Sequence, residues 1–209
     1  MLKLIEELIK KGYLKTPAII DAFKKINRAD FVLPGMESEV MENIPLSIGY
    51  GQTISQPLTV ALMLELLQPK KDDKVLDIGS GSGWTTALLA EIVGSEGKVF
   101  AIERIPELKE FGENNVRKYD FVASKRAIFI TGDGSKGLAD EAPFDKIHVG
   151  AAAAQIPDEL KNQLVIGGRL VAPEGIDMQD LVLIQRTAAN EFKEQRWPGF
   201  VFVPLISKE

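Results

Sequence analysis

The sequence predicts an α/β fold in which a mostly parallel central sheet carries helices on both faces and ends in antiparallel strands. From residue 74 onward, short apolar segments alternate with segments of helical periodicity, an order that is typical of a parallel sheet. A glycine-rich stretch, Gly79-Ser80-Gly81-Ser82-Gly83, directly follows the first apolar segment. The chain has 209 residues, of which 45% are hydrophobic, and this suffices for one well-packed core with an appendage.

Residues 1–70 are expected to form a helical and loop extension at the N-terminus. One face of a first helix is formed by Leu4, Leu8 and Ile9. Thr16-Pro17 places a capping residue and then a proline at the start of a second helix, over residues 18–23.

A loop over residues 31–56 separates these helices from the next one. Its prolines and glycines leave little periodicity, so we expect an ordered loop with a short strand or hairpin. Loops of this length usually have a function. A proline then begins an apolar helix over residues 57–67.

Residues 71–209 are expected to form the sheet core. The predicted order is strand 74–78, helix 85–93, strand 98–102, helix 106–119, strands 127–131 and 146–150, helix 157–164 and strand 169–172. Two further apolar segments, LVLIQRT and GFVFVPL, follow with little helix between them. The last strand or two should therefore run antiparallel to the others.

Composition argues against several classes of partner. The formal net charge of −5 provides no broad positive field for nucleic acid. With no cysteine and one histidine, thiolate and multi-histidine metal sites are excluded, and we expect no metal. The sequence has no apolar run of the ~20 residues that a membrane span needs, and its first residues do not resemble a signal peptide. We expect a cytoplasmic monomer.

The glycine loop predicts a nucleotide-type site. Ligands of open parallel sheets bind beyond the carboxyl ends of the strands, and glycines there let a ligand approach the backbone closely. Glu103 ends the next strand, where its carboxylate can accept hydrogen bonds from ribose hydroxyls. In Gly132-Asp133-Gly134, the aspartate can accept from an adenine amino group. The alternatives are a glutamate that only caps a strand and a simple turn.

Two classes of cofactor use such a loop. In the G-x-G-x-x-G loop of NAD enzymes the third glycine would fall at Trp84, a side chain that we expect to obstruct both the pyrophosphate and helix packing. S-adenosylmethionine has no pyrophosphate and suits a G-x-G-x-G loop better. Asp77, just before the loop, is expected to orient it and to interact with the cofactor's amine.

Motifs along nearly the whole chain resemble the protein-L-isoaspartate O-methyltransferase family. They are IPLSIGYGQTISQP (44–57), VLDIGSGSG (75–83), AIERIPEL (101–108), GDGSKGL (132–138), APFDKIHVGAAA (142–153) and FVFVPL (200–205). The first contains a signature that most S-adenosylmethionine enzymes lack. The resemblance implies a Rossmann-like class I S-adenosylmethionine-dependent methyltransferase fold, with the active-site loop in the extension and the cofactor in the core.

The resemblance also implies roles for individual residues. Ser55 would be the catalytic residue, and residues 203–205 would help to form a peptide groove. Together with the residues singled out above, the cofactor-binding set is Gln52, Thr53, Ile54, Ser55, Val60, Asp77, Gly79, Gly81, Ser82, Glu103, Arg104, Asp133 and Gly134. The sequence departs from the family pattern at Trp84, Ala154 and Glu174, of which the last stands where an apolar residue is common.

The chemistry that the resemblance implies fits this composition. The enzyme would transfer a methyl group from S-adenosylmethionine to the free α-carboxylate of L-isoaspartyl residues in damaged proteins and peptides, leaving S-adenosylhomocysteine. That carboxylate is ionised at neutral pH and needs no general base. Ser55 would orient it, and the methyl ester would collapse to a succinimide that reopens partly to normal aspartate. His148 is interpreted as a packed strand residue in preference to a catalytic one.

Other functions stay open on the sequence. One is a methyltransferase that acts on RNA or a small molecule, although the segment after the strand at 146–150 lacks an N-P-P-Y-type motif. Another is a non-catalytic module that binds modified proteins. A nicotinamide dehydrogenase is the least favoured, because of Trp84.

Overall fold

The computed structural model describes residues 2–206, which form one seven-stranded sheet, a separate β-hairpin and the surrounding helices. The α-helices of this range are α1 Leu2–Lys10, α2 Pro17–Lys25, α3 Pro57–Leu67, α4 Trp84–Val93, α5 Pro106–Arg117 and α6 Asp158–Asn162. The strands are β1 Leu46–Gly49, β2 Gln52–Ile54, β3 Lys74–Ile78, β4 Lys98–Glu103, β5 Ala127–Thr131, β6 Phe144–Val149, β7 Leu164–Glu174, β8 Gln179–Ala188 and β9 Glu191–Phe200. The predicted loop hairpin is β1 paired with β2.

The large sheet has the strand order β5-β4-β3-β6-β7-β8-β9. Strands β3 to β7 run parallel to one another, and β8 runs antiparallel to both β7 and β9. Only β8 is therefore reversed in the described sheet, since β9 returns to the direction of β7. The order reverses at β3, which lies between β4 and β6, and open α/β sheets bind ligands in the crevice at such a point.

The sheet is covered on both faces because its inner strands are apolar on both sides. Val75 and Val99 belong to a cluster that also contains residues of α1 to α5. Leu76 and Phe100, the next residues along the same strands, belong to a second cluster that includes Leu160 of α6. Successive side chains of a strand alternate between faces, so β3 and β4 contribute to both clusters.

The N-terminal extension packs into the larger cluster, but the buried face of α1 differs from the predicted one. Leu4, Ile5 and Leu8 are buried, whereas Ile9 is 39% exposed. At about 100° per residue, Leu4, Leu8 and Ile5 span an arc of roughly 100°, and Ile9 falls beyond its edge. The prediction was therefore wrong for Ile9, and Ile5 takes its place.

Thr16 precedes α2 as predicted, yet its side chain does not cap the helix. Its hydroxyl instead donates to Oε2 of Glu65 in α3, at 2.7 Å, and the backbone N–H groups of Lys15 and Thr16 donate to Oε1 of the same carboxylate. Glu65 thus ties the start of α2 to α3.

The C-terminal part differs from the prediction in two places. Helix α6 is short, and Leu164 is the first residue of β7, because it already pairs with Phe144 of β6. The last strand, β9, ends at Phe200, so most of GFVFVPL lies beyond it. Residues 201–206 cross to the end of β6, where Pro204 bridges Ala152.

Candidate active site

A cleft opens beside the carboxyl ends of β3 and β4, where the strand order reverses. The glycine loop after β3, the hairpin β1–β2 and residues 203–206 contribute to its walls. In the loop, Gly79, Gly81 and Gly83 have φ values of +75°, +50° and +83°, a region that other L-residues rarely adopt. The glycines are therefore needed for the path of the backbone, and Gly79 and Gly81 also leave it open to the cleft.

Glu103 is held rigidly at the end of β4, only 7% exposed. The Gly81 N–H donates to its Oε2 and the Ile105 N–H donates to its Oε1, both at 3.0 Å. Each carboxylate oxygen has a further lone pair, and Glu103 lines the cleft between the apolar side chains of Ile102 and Ile105. Apolar walls beside a carboxylate acceptor suit a ligand that joins a flat apolar group to a neighbouring pair of hydroxyls.

The Gly-Asp-Gly segment after β5 lies against the same cleft, but its aspartate does not line it. Gly132 and Gly134 line the cleft. The Asp133 side chain starts a short 3₁₀ turn, since its Oδ1 accepts from the backbone N–H and the hydroxyl of Ser135 at 2.9 and 2.7 Å. A Cβ on Gly134 would collide with the Ile78 side chain, so close packing against β3 requires this glycine.

Asp77 lies beneath the glycine loop in a buried polar network. His148, its register partner on β6, places Nδ1 2.8 Å from Asp77 Oδ1, and the Thr86 hydroxyl donates to Asp77 Oδ2 at 2.6 Å. His148 Nε2 has no hydrogen-bond partner among residues 2–206. Asp77 thus holds β3, β6 and α4 together below the cleft, and His148 is a packed strand residue with one bonded nitrogen.

A second groove meets the first. Ser55, between β2 and α3, lines it together with Gln56, Thr59 and residues 200–203. The two openings share Thr53, Gly150 and Val203. A ligand in the cleft and a chain in the groove would therefore meet at this shared boundary.

The walls that residues 201–206 contribute are fixed by backbone hydrogen bonds. The Ala152 N–H donates to the Val203 carbonyl at 2.8 Å, and the Leu205 N–H donates back to the Ala152 carbonyl at 2.7 Å. The buried side chain of Gln179 accepts from the Phe202 N–H at 2.7 Å. These bonds hold the segment between both openings.

The structure divides the predicted cofactor-binding residues into two groups. Those that line the cleft are Gln52, Thr53, Gly79, Gly81, Glu103, Arg104 and Gly134. The others lie outside it. Ile54 and Val60 are buried in the apolar core, and the buried Ser82 hydroxyl accepts from the Trp84 N–H at 3.4 Å. Ser55 borders the adjoining groove, and Asp77 and Asp133 support the loops.

Trp84 does not obstruct the glycine loop, which corrects the sequence prediction. It begins α4 and is buried on the far side of the loop, where Phe23 packs edge-on to it at 5.6 Å between ring centroids. This contact has no signal in the sequence, because a tryptophan directly after a glycine loop can point either towards the cleft or away from it. The structure therefore supplies no steric argument from Trp84 against a pyrophosphate.

Other residues line the cleft that were not among the predicted cofactor-binding residues. Gly150 and Ala151 follow β6 and line the cleft, as do Ile48 of the hairpin and Ile105. The GAAA run after a strand is the one available signal, because small residues at the carboxyl end of a parallel strand leave room for a ligand. Isoleucines of a cleft wall cannot be told from core isoleucines by periodicity.

Two further observations concern metal ions and membranes. In the described part of the chain, no three His, Cys, Asp or Glu side chains are grouped so that they could hold a metal ion. None of the helices within residues 2–206 combines the length and the apolar character that crossing a bilayer requires.

Comparison with known proteins gives a consistent result. The family model described as protein-L-isoaspartate(D-aspartate) O-methyltransferase matches residues 1–209. A protein-L-isoaspartate O-methyltransferase of Methanopyrus kandleri is 41% identical over 208 residues, which cover 99% of this chain and 91% of the relative. The relative of the same name in Methanothermobacter thermautotrophicus is 42% identical, with 99% and 94% covered.

A solved structure shares the fold over the same length. It is a protein-L-isoaspartate O-methyltransferase from Plasmodium falciparum, described as putative and in complex with S-adenosyl-L-homocysteine. It superposes on this chain with a TM-score of 0.86 at 25% sequence identity, and covers 98% of this chain and 97% of its own.

Proposed function

This chain belongs to the protein-L-isoaspartate(D-aspartate) O-methyltransferase family, and from that premise we propose that Ser55 aligns the substrate carboxylate for methyl transfer. The fold is the Rossmann-like class I S-adenosylmethionine-dependent methyltransferase fold. The enzyme transfers a methyl group from S-adenosylmethionine to the free α-carboxylate of L-isoaspartyl residues in damaged proteins and peptides.

One observation carries the proposed role of Ser55: the cleft at the glycine loop and the groove that Ser55 lines share Thr53, Gly150 and Val203. A methyl donor and an acceptor carboxylate must come within ~3 Å of each other in line, with water excluded. The shared boundary is the place where this is possible. Ser55 borders it from the groove side, on which a peptide would lie.

The cleft residues fit S-adenosylmethionine. Glu103 would accept from the ribose hydroxyls with the lone pairs that the Gly81 and Ile105 N–H groups leave free. The apolar walls would enclose the adenine, and the bare backbone of Gly79 and Gly81 would face the methionine part. When bound, S-adenosylmethionine supplies a methyl group on a positively charged sulfur, which a carboxylate can attack.

The chain's own contribution is alignment and exclusion of water. The Ser55 hydroxyl would donate to one oxygen of the substrate carboxylate and hold the other towards the cleft. No proton has to be removed, because a carboxylate with a pKa of ~4 is already ionised at neutral pH. His148 has no part in this step, since it is buried and bonded to Asp77.

Repair then follows from the substrate's own chemistry. The backbone amide nitrogen that follows the esterified residue attacks the methyl ester, methanol leaves, and a succinimide ring forms. Water opens this ring at either carbonyl and gives aspartyl or isoaspartyl residues. Repeated methylation of the isoaspartyl product moves the population towards normal aspartate.

A methyl-transfer assay tests the proposal. Transfer of tritiated methyl to an isoaspartyl peptide should far exceed transfer to the same peptide with normal aspartate. Ser55→Ala should lower kcat by a factor of ~10 to ~1000, the range for loss of one oriented donor, and should bind S-adenosylhomocysteine with nearly unchanged affinity in calorimetry. Ser55→Thr should keep part of the rate. A wild-type kcat in Ser55→Ala would contradict the assigned role.

We propose further that residues 1–70 serve as the extension that presents Ser55, and residues 71–209 as the cofactor-binding core. We also propose that the protein works as a cytoplasmic monomer without nucleic acid. The net charge of −5 supports the last point, because nucleic-acid affinity depends on positive charge. Light scattering after gel filtration tests the monomer, and a dimer peak would contradict it.

A further inference from the structure

Arg28 is a buried cation in the middle of the protein. It begins a short 3₁₀ turn, Arg28–Phe31, between α2 and the loop that leads to the hairpin. Its relative exposure is 0%. Among residues 2–206 no carboxylate forms a salt bridge with it, so its charge is compensated in another way.

The guanidinium group is bonded to backbone carbonyls of the active-site loop. Nη1 donates to the carbonyls of Val40 and Glu42 at 3.2 and 3.1 Å. Nη2 donates to the carbonyls of Ile44 and Ser55 at 2.7 and 3.2 Å. One side chain therefore gathers four carbonyl groups from a segment that starts at residue 40 and ends at the proposed catalytic serine.

The same guanidinium group also contacts Trp84, the residue that follows the glycine loop. Its central carbon lies 5.4 Å from the centroid of the Trp84 ring, within the range of a cation–π contact. Trp84 is the first residue of α4 and directly follows Gly83 of the glycine loop. Arg28 thus contacts both the backbone of Ser55, which lines the groove, and the first residue after the glycine loop, a loop that lines the cleft.

Burial of this charge is unfavourable on its own. Desolvation lowers the pKa of Arg28 to about 10, which still leaves the group charged at neutral pH. A buried charge is poor evidence for a gain in stability, because apolar residues of similar size often stabilise as well or better. Arginine has a planar set of donors that can bind several carbonyls in fixed directions, which lysine and apolar residues lack.

We propose that Arg28 is a positioning residue: it fixes the backbone at Ser55 and so the direction of the Ser55 hydroxyl, and it couples this turn to the glycine loop through Trp84. The inference rests on the proposed role of Ser55. It assigns to Arg28 an effect on kcat through Ser55, without contact with substrate or cofactor, since Arg28 lines neither opening.

The test uses Arg28→Lys, which keeps the charge and loses the planar set of donors. Arg126→Lys is the matched control, because Arg126 also donates to a carbonyl, that of Ala90, and packs over the ring of Phe121 at 4.9 Å, yet lines neither opening. We expect kcat to fall roughly 10- to 100-fold in Arg28→Lys, the scale for a small misplacement of a reacting group. The affinity for S-adenosylhomocysteine should change less than threefold, as it should in the control.

A double variant separates positioning from general destabilisation. If Arg28 acts through Ser55, Arg28→Lys should slow the wild type but slow Ser55→Ala by less than about twofold, because residues that act as a unit are not additive. Equal slowing in both backgrounds, or a kcat of Arg28→Lys equal to that of Arg126→Lys, overturns the inference. A wild-type rate in Ser55→Ala would instead overturn the proposed role of Ser55, so the two failures are distinguishable.

Should Arg28→Lys not fold, Trp84→Phe replaces it in the same measurements. Phenylalanine keeps a ring against Phe23 and weakens the cation–π contact with Arg28. We then expect kcat to fall about two- to tenfold, again with little change in Ser55→Ala. A wild-type kcat in Trp84→Phe would overturn the coupling between the two segments.

Discussion

Gly83 and Gly112 lie back to back, one at the end of the glycine loop and the other in α5. A Cβ on Gly83 would come within 2.7 Å of the Gly112 carbonyl oxygen, and a Cβ on Gly112 within 2.6 Å of the Gly81 carbonyl oxygen. Real Cβ atoms do not approach so closely, so both positions must be glycine. Helix α5 therefore packs directly against the backbone of the glycine loop, with no side chain between them.

This contact predicts that Gly112→Ala destabilises the protein, although alanine favours a helix more than glycine does. In an isolated helix Gly112→Ala would stabilise by about 1 kcal/mol. In this protein the added methyl group must push α5 away from the loop, so we expect a lower melting temperature and weaker binding of S-adenosylhomocysteine. Glu110→Ala, on the exposed side of α5, is the control and should stay within about 0.5 kcal/mol of the wild type. A stabilised Gly112→Ala with unchanged affinity would contradict the packing.

Glu103→Ala should weaken cofactor binding. The variant loses the acceptors proposed for the ribose and the two bonds that shape the loop, from the Gly81 and Ile105 N–H groups. Loss of a charge-assisted hydrogen bond costs roughly 1–3 kcal/mol, which calorimetry with S-adenosylhomocysteine can resolve. Glu107→Ala, an exposed change at the start of α5, should bind normally. Equal affinity of the two variants would exclude Glu103 from the binding site.

The rate of methyl transfer should vary little between pH 6 and pH 8. The nucleophile is an ionised carboxylate throughout, so no group has to lose a proton. Initial rates must be trapped in acid, because the methyl ester hydrolyses faster as the pH rises. His148→Gln should give a profile of the same shape. A rate that climbs across this range in the wild type and is level in His148→Gln would mean that His148 acts as a base.

Glu174 should contribute stability that disappears in acid. Burial alone would raise the pKa of Glu174, but the Ile156 N–H and the Arg196 guanidinium outweigh it and lower the pKa below its usual value. A carboxyl with a lowered pKa in the native state stabilises the protein above its unfolded pKa, and this contribution is lost as the pH falls. The difference in unfolding free energy between wild type and Glu174→Gln should therefore shrink as the pH falls from about 6 to about 3.

Glu194→Gln is the control for that measurement. Glu194 also contacts Arg196, at 3.3 Å, but lies on the surface, where an ion pair contributes little. We expect it to track the wild type at every pH. A constant difference between wild type and Glu174→Gln would show that hydrogen-bond geometry matters there and ionisation does not.

The elements of the sheet core were predictable because each carries a local signal. The apolar residues of β3 and β5 are bounded by polar turns, and their predicted bounds agree with the structure. The proline that begins α3 also marks the observed first residue. Boundaries at β9 and α6 were not predictable, since the segment after Phe200 is as apolar as a strand. Its hydrogen bonds to Ala152 and Gln179 depend on tertiary contacts.

Within the site, the sequence indicated backbone features better than side-chain directions. The glycine loop and Glu103 lie where their spacing predicts. The obstruction expected from Trp84 was wrong, because its side chain is buried against Phe23, which lies about sixty residues away in sequence. Arg28 gave no signal at all, since a single arginine among polar neighbours is usually exposed. Only the fold shows that it is buried against the carbonyls of the active-site loop.

The position of residues 203–206 has a consequence for shortened variants. These residues complete a wall of the cofactor cleft and meet the groove at Val203, yet they lie beyond every strand of the described sheet. A chain cut after Phe200 therefore keeps all seven strands, the glycine loop and Ser55, while the cleft loses one wall. Such a chain should lose methyl transfer more completely than it loses its fold, because no segment then reaches Ala152 to close the boundary between cleft and groove.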